Sequence, residues 1–178
     1  MKILFAGRLV DFKDPITFIK AACYDSTKRF DFLVAGDGEL MKICKRLAED
    51  CKNIRMLGWL KQDAVNNLMR EADIFCQMSP YENIWAATLV SAMKNGKAII
   101  CTNAGYTSKY LRHDYHAVLI PPRDSLALVE AIVRLSNDDK LRQTLGENAY
   151  SFVQENLSTK KIVKEIRDML VDVVECEK

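Results

Sequence analysis

Six short apolar runs, at residues 3–6, 32–35, 54–57, 74–78, 98–101 and 118–120, constrain the fold of this chain more than any other feature. Each is too short to be a core helix and none alternates apolar with polar, so each reads as a strand buried on both faces. Between them lie segments at 15–22, 40–51, 64–71, 85–95 and 126–135 whose apolar residues recur at helical spacing. Strand and helix in this rhythm predict an α/β domain: a Rossmann-like parallel six-stranded sheet with helices on both faces. Two further amphipathic segments, 140–155 and 159–174, predict a helical C-terminal tail. In such sheets ligands gather at the carboxyl ends of the strands, near the point where strand order reverses.

Composition narrows the function. A chain of 178 residues suits one domain with a substantial core. A net charge of +2 is too small to imply nucleic-acid binding. No apolar stretch approaches the ~20 residues of a membrane-spanning helix. The N-terminal run meets Gly7-Arg8 and reads as a strand rather than a signal peptide. The six cysteines form no Cys-x-x-Cys pair and stand apart from His113 and His116, so no metal site is expected. Cys76 and Cys101 lie within apolar runs and are expected as buried thiols, a usage that suits a reducing, cytoplasmic setting. The two histidines are expected at the surface.

The loops after the strands carry the candidate chemistry. After the first come Gly7, Arg8 and Lys13, with Asp14 as a candidate N-cap and Pro15 opening a helix. After the second comes Gly36-Asp37-Gly38, where glycines serve a turn or let backbone approach a ligand. After the third comes Gly58-Trp59. After the fourth, Ser79-Pro80-Tyr81 predicts a turn that presents Glu82, and a helix follows with Thr88, Ser91 and Asn95 along one polar side. A helix N-terminus there suits an anion. Arg8 and Lys13 also fit a solvated surface pair, and Glu82 a helix cap. A basic cluster, Lys160, Lys161, Lys164 and Arg167, reads first as a solvated face and second as a contact for anionic lipid or for another domain.

In this order, Gly7-Arg8-Leu9 with Lys13, Gly36-Asp37-Gly38, Leu57-Gly58, Ala72-Asp73-Ile74-Phe75, Ser79-Pro80-Tyr81-Glu82, Ala92-Met93 with Gly96, and Pro121-Pro122 with Asp124 resemble a known set. They resemble the C-terminal, donor-binding domain of retaining glycosyltransferases with a GT-B fold, the glycosyl transferases group one family. The resemblance implies an enzyme moving a sugar from a nucleotide-sugar, a UDP-sugar first among them, to a hydroxyl acceptor, with no cofactor or metal. It implies that Arg8 and Lys13 neutralise the donor diphosphate and that Glu82 meets the sugar hydroxyls. Gly7, Gly36, Gly38, Gly58, Asn83, Ile84, Trp85 and Ser91 would complete the donor site. The N–H groups of Ile84 and Trp85 would face the phosphates, and backbone near Gly58 the base.

The chain departs from the family pattern in two ways. The second glutamate of that pattern, before Ala-Met, is replaced here by Ser91, or by Val90 on a strict count from Glu82. The N-terminal acceptor domain of the family is also expected to be missing. The whole of 1–178 reads as a single donor domain, inactive alone, that partners an acceptor domain, with peripheral contact at the cytoplasmic face of a membrane left open through the full-length protein. The alternative is a nucleotide-sugar-binding regulatory or scaffolding module without catalysis.

Overall fold

A computed structural model describes residues 1–81 and 86–157, with 161, 163 and 166–169 beyond them, and the backbone alone at Asp25 and Tyr106. Six strands, β1 (Lys2–Ala6), β2 (Asp31–Ala35), β3 (Ile54–Gly58), β4 (Ile74–Gln77), β5 (Ala98–Thr102) and β6 (Val118–Ile120), form one sheet. Its order is β3-β2-β1-β4-β5-β6, with every pairing parallel. Successive strands add outward from β1 to β3, then the chain returns to the other side of β1 and builds outward again. The order therefore reverses between β1 and β4, and a crevice opens there at the carboxyl ends.

The helices are α1 (Pro15–Ala22), α2 (Met41–Ala48), α3 (Gln62–Glu71), α4 (Ala87–Lys94), α5 (Gly105–Tyr110), α6 (Ser125–Ser136) and α7 (Asp139–Asn156). Two cores result, one on each face. Ile3, Phe5, Phe32 and Val34 point to one face and pack with Phe18 and Ile19 of α1 and Leu128 and Ile132 of α6. Leu4, Ala6, Leu33 and Phe75 point to the other and pack with Met69 of α3, Leu89 and Met93 of α4, and Ala149 and Val153 of α7. Because both faces are covered over the central strands, these show no polar face, while the edge strand β3 leaves Arg55 exposed; each buried Ile, Leu or Phe adds about 1.5–3 kcal/mol.

Helix starts follow their caps. The Asp14 carboxylate accepts from the Thr17 N–H ahead of Pro15, Asp124 from Ala127 N–H, and Asp138 from Leu141 N–H. α4 begins at Ala87, later than the expected start at Trp85, which lies with Glu82, Asn83 and Ile84 outside the described residues. Most of the expected helix at 159–174, including Lys160 and Lys164, lies outside them too. Among the described residues no helix is long and apolar enough to cross a membrane.

One covalent link went unmarked in the sequence, and one expectation about a side chain is corrected. Cys23 and Cys51 form a disulfide. They lie 28 residues apart in sequence, so only the packing of α1 on α2 brings them together. His116 is buried, not at the surface. Its Nδ1 accepts from the Arg112 N–H, and its ring meets Tyr115 and Phe152 edge-on. Burial beside Arg112 holds its pKa below the usual histidine value. Cys44, Cys76 and Cys101 are buried free thiols. Desolvation pushes the pKa of Cys44 up to about 11 and that of Cys101 up to about 12, and raises that of Cys76 as well.

Candidate functional site

The loops after β1, β2 and β3 are laced by their backbones. Gly7 N–H donates to Ala35 C=O at 3.0 Å, Leu9 N–H to Asp37 C=O at 2.9 Å, and Leu40 N–H to Leu9 C=O at 2.9 Å. Gly36 N–H donates to Gly58 C=O at 2.7 Å. These bonds require a close approach that only glycine permits. A Cβ on Gly36, at φ 149°, would stand 1.8 Å from the Gly7 carbonyl oxygen, and one on Gly38 2.6 Å from that of Leu9. The two glycines face neighbouring backbone here, which is the turn-serving role among the roles open to them.

The loops after β4, β5 and β6 share one backbone bond, Asn103 N–H to Ile120 C=O at 2.7 Å, and are otherwise joined through side chains. Thr107 Oγ1 donates to Thr102 C=O at 2.5 Å, Thr102 Oγ1 to Ser79 C=O at 2.5 Å, and Ser79 Oγ to Phe12 C=O at 2.8 Å. Arg123, after β6, pairs with Asp11 at 2.7 Å. Both networks end on the β1 loop, which is thereby fixed from each side.

A cleft of about 200 Å³ opens at the carboxyl ends of β1, β2 and β3. Its lining takes Gly7 and Arg8 from the loop after β1, Gly36 and Asp37 from the loop after β2, and Trp59, Leu60, Gln62, Val65 and Thr88 from the segments that follow β3 and β4. Arg8 is exposed there, with its Cζ 5.1 Å from the centre of the Phe12 ring; Lys13 Nζ lies 5.2 Å from the same ring. Two cations thus converge on one half-exposed aromatic ring at the reversal point, where they reinforce each other's positive potential.

The structure gathers Gly7, Arg8 and Gly36 at the cleft. Lys13, Gly38, Gly58 and Ser91 are not among its described lining residues. Gly58, at φ 68°, ends β3 where the pairing with β2 shifts register. Ser91 is half-buried one turn beyond Thr88, while Val90 packs on the α4 core, so Ser91 is the residue on the polar side. Trp59, Gln62 and Thr88 were not singled out as site residues by sequence. Trp59 is 70% exposed, and a large apolar side chain in a post-strand loop is the signal that could have marked it. Among the described residues no group of three or more His, Cys, Asp or Glu is placed to hold a metal ion.

Larger cavities lie away from this cleft, around Cys23 and Cys51. Volume alone does not mark the site, because the strand order and the converging cations favour the smaller cleft.

The sequence profile of the family described as glycosyl transferases group 1 matches residues 1–152. Among curated relatives, the chain is 28% identical over 180 residues to the UDP-Gal:alpha-D-GlcNAc-diphosphoundecaprenol alpha-1,3-galactosyltransferase of Escherichia coli. That match covers 94% of this chain and 44% of the relative, so the chain spans under half the length of the relative. Among solved structures, Anabaena HepE in complex with UDP and glucose superposes with a TM-score of 0.86 at 20% identity, over 96% of this chain and 48% of that one. The C-terminal domain of a glycosyl transferase group 1 family protein from Francisella tularensis gives a TM-score of 0.78 at 23% identity, over 89% of this chain and 86% of that domain. At these identities the two structures establish the shared fold.

Proposed function

The chain belongs to the glycosyl transferases group 1 family, and from that premise we propose that it is the donor-binding half of a retaining glycosyltransferase that moves a sugar from a nucleotide-sugar to a hydroxyl acceptor. The observation that carries the reading is the cleft at the strand-order reversal, with Arg8 on its rim and Lys13 beside the same Phe12 ring. Departure of a nucleoside diphosphate builds negative charge on its leaving oxygen. Fixed cations at that point stabilise the charge more in the transition state than in the ground state. With two cations in that role, the proposed transfer is metal-independent. In the proposed pose the diphosphate lies by Gly7, Arg8 and Lys13, and the base lies toward Trp59 and Leu60. Glu82 is assigned the sugar hydroxyls.

At about 200 Å³ the cleft is smaller than the ~300–1,000 Å³ of enclosed ligand pockets. A sugar nucleotide would therefore project from it toward a second domain, the acceptor half. The donor named in the Escherichia coli relative and the UDP held by the Anabaena structure favour a UDP-sugar. A second reading, a binding module without catalysis, is favoured by one observation: a serine stands at 91 where the family pattern has a carboxylate.

Thermal shift against UDP-, GDP- and ADP-sugars tests donor binding. At 100 times its dissociation constant a donor stabilises the folded chain by ~2.7 kcal/mol. The expected response is to a UDP-sugar; no shift with any of the three series would remove the donor reading. Arg8→Ala should weaken that binding by about tenfold or more and Ser91→Ala by less, because a charge-assisted phosphate contact outweighs a neutral hydrogen bond.

A further inference from the structure

We propose that the Cys23–Cys51 pair is a thiol–disulfide exchange site, opened and closed in the folded protein by a small anionic thiol and its disulfide. Cys23 caps the end of α1 and Cys51 follows α2, with Cα atoms 5.4 Å apart, within the span of a disulfide. Neither is among the buried cysteines. Two cavities flank the pair. One, of about 460 Å³, is lined by Lys20, Cys23, Tyr24, Leu47 and Ser125. The other, of about 530 Å³, is lined by Cys23, Lys28, Asp50, Cys51, Lys52 and Asn53. The sulfurs are therefore reachable without unfolding, and among the described lining residues three lysines stand against one aspartate, a balance that attracts an anionic reagent.

Cys23 lines both cavities and Cys51 only one, so Cys23 is the sulfur a thiolate attacks. The incoming thiolate forms a bond to Cys23 Sγ, the bond between Cys23 and Cys51 breaks, and Cys51 leaves as a thiolate that takes a proton. A second thiolate then attacks the small-molecule sulfur of the mixed disulfide. It releases Cys23 and carries away a small-molecule disulfide, so two small thiols are oxidised as the protein pair is reduced.

The surroundings are built to keep the two sulfurs adjacent after opening. Asn53 Nδ2 donates to Ala22 C=O at 2.9 Å and to Thr27 C=O at 3.3 Å. Thr27 Oγ1 donates to Ala21 C=O at 2.8 Å. The Leu47 carbonyl, at the unpaired end of α2, lies 3.7 Å from Cys23 Sγ and 3.8 Å from Cys51 Sγ, ready to accept from a released thiol. Opening therefore leaves the local frame in place and closing needs no search. Cys44, Cys76 and Cys101 are buried and provide an internal control.

The experiment equilibrates the native protein with oxidised and then reduced glutathione, alkylates, and maps the cysteine peptides. The expected result is a linked Cys23–Cys51 peptide after oxidation, both thiols alkylated after reduction, and Cys44, Cys76 and Cys101 untouched throughout. Cys51→Ser exposed to oxidised glutathione should carry the adduct on Cys23. Reduction should lower Tm by about 7–14 °C, from the loop closed by the bridge and the chain length, and Cys51→Ser should show no such reductant-dependent shift. A pair that stays unlinked after oxidation, or a bridge that glutathione opens only in denaturant, would overturn the proposal.

Discussion

The two sides of the sheet hold their loops in different ways. On the β1–β2–β3 side the bonds run from backbone to backbone, through Gly7, Gly36 and Leu9. On the β4–β5–β6 side one such bond, Asn103 N–H to Ile120 C=O, is joined by a run from hydroxyl to carbonyl through Thr107, Thr102 and Ser79. Backbone lacing is indifferent to most side chains but intolerant of any Cβ where two chains nearly touch. Hydroxyl lacing can be cut one link at a time, each worth about 0.5–1.5 kcal/mol net. The cleft takes most of its lining from the first side, so its shape rests on glycines that themselves offer no chemistry.

The contrast is broken most severely at Gly36. Gly36→Ala places a methyl 1.8 Å from the Gly7 carbonyl oxygen, backbone that has no rotamer by which to yield. The expected loss is about 3 kcal/mol or more in urea unfolding. A loss under about 1 kcal/mol would mean the β1 and β2 loops can separate at little cost. Thr102→Val is the matching cut on the other side. It keeps shape but removes the donor to the Ser79 carbonyl at a fully buried position, at a cost of about 1–3 kcal/mol. If Thr102→Val proved as damaging as Gly36→Ala, the distinction between the two sides would fail.

All six strands and their order in the chain were legible in the sequence: strands buried on both faces leave continuous apolar runs such as Ile99–Cys101, and the half-exposed edge strand β3 still keeps Ile54, Met56 and Leu57 around Arg55. Helix ends were legible where an aspartate caps them, as at Asp14, and less so at α4, where Ala86 offers no side-chain cap. The place of Arg8 was legible because it stands one residue past the glycine that ends the first apolar run. For Gly36 and Gly38 the turn role was legible but the backbone each one faces was not, since a close approach between loops leaves no mark beyond the glycine itself. The Cys23–Cys51 bridge was hidden for a related reason: it depends on the distance between two helix ends, which neither cysteine's neighbours encode. Trp59 and Thr88 reach the cleft from separate elements, and only the sheet order joins them.

The smallest effect is expected at Asp14, where the two sides meet on the β1 loop. Its carboxyl caps α1 at φ 47°, is 6% exposed, and leaves Oδ2 without a hydrogen-bond partner among the described residues. Burial raises its pKa above the ordinary 3.8; the Thr17 N–H and Arg123 oppose the rise, and Asp11 adds to it. Because the folded protein holds this proton more tightly than the unfolded chain, the contribution is full below the ordinary value. It is lost as pH rises through the raised one. Asn caps as well as Asp and tolerates the left-handed backbone, so Asp14→Asn should change stability at neutral pH by under about 1 kcal/mol. The sharper reading is the difference between the two proteins across pH. Wild type should gain on Asp14→Asn as pH falls from 7 toward 3 in paired urea titrations. A flat difference would show that the Asp14 charge is already compensated, and that the ion pair of Arg123 with Asp11 extends its field to the cap.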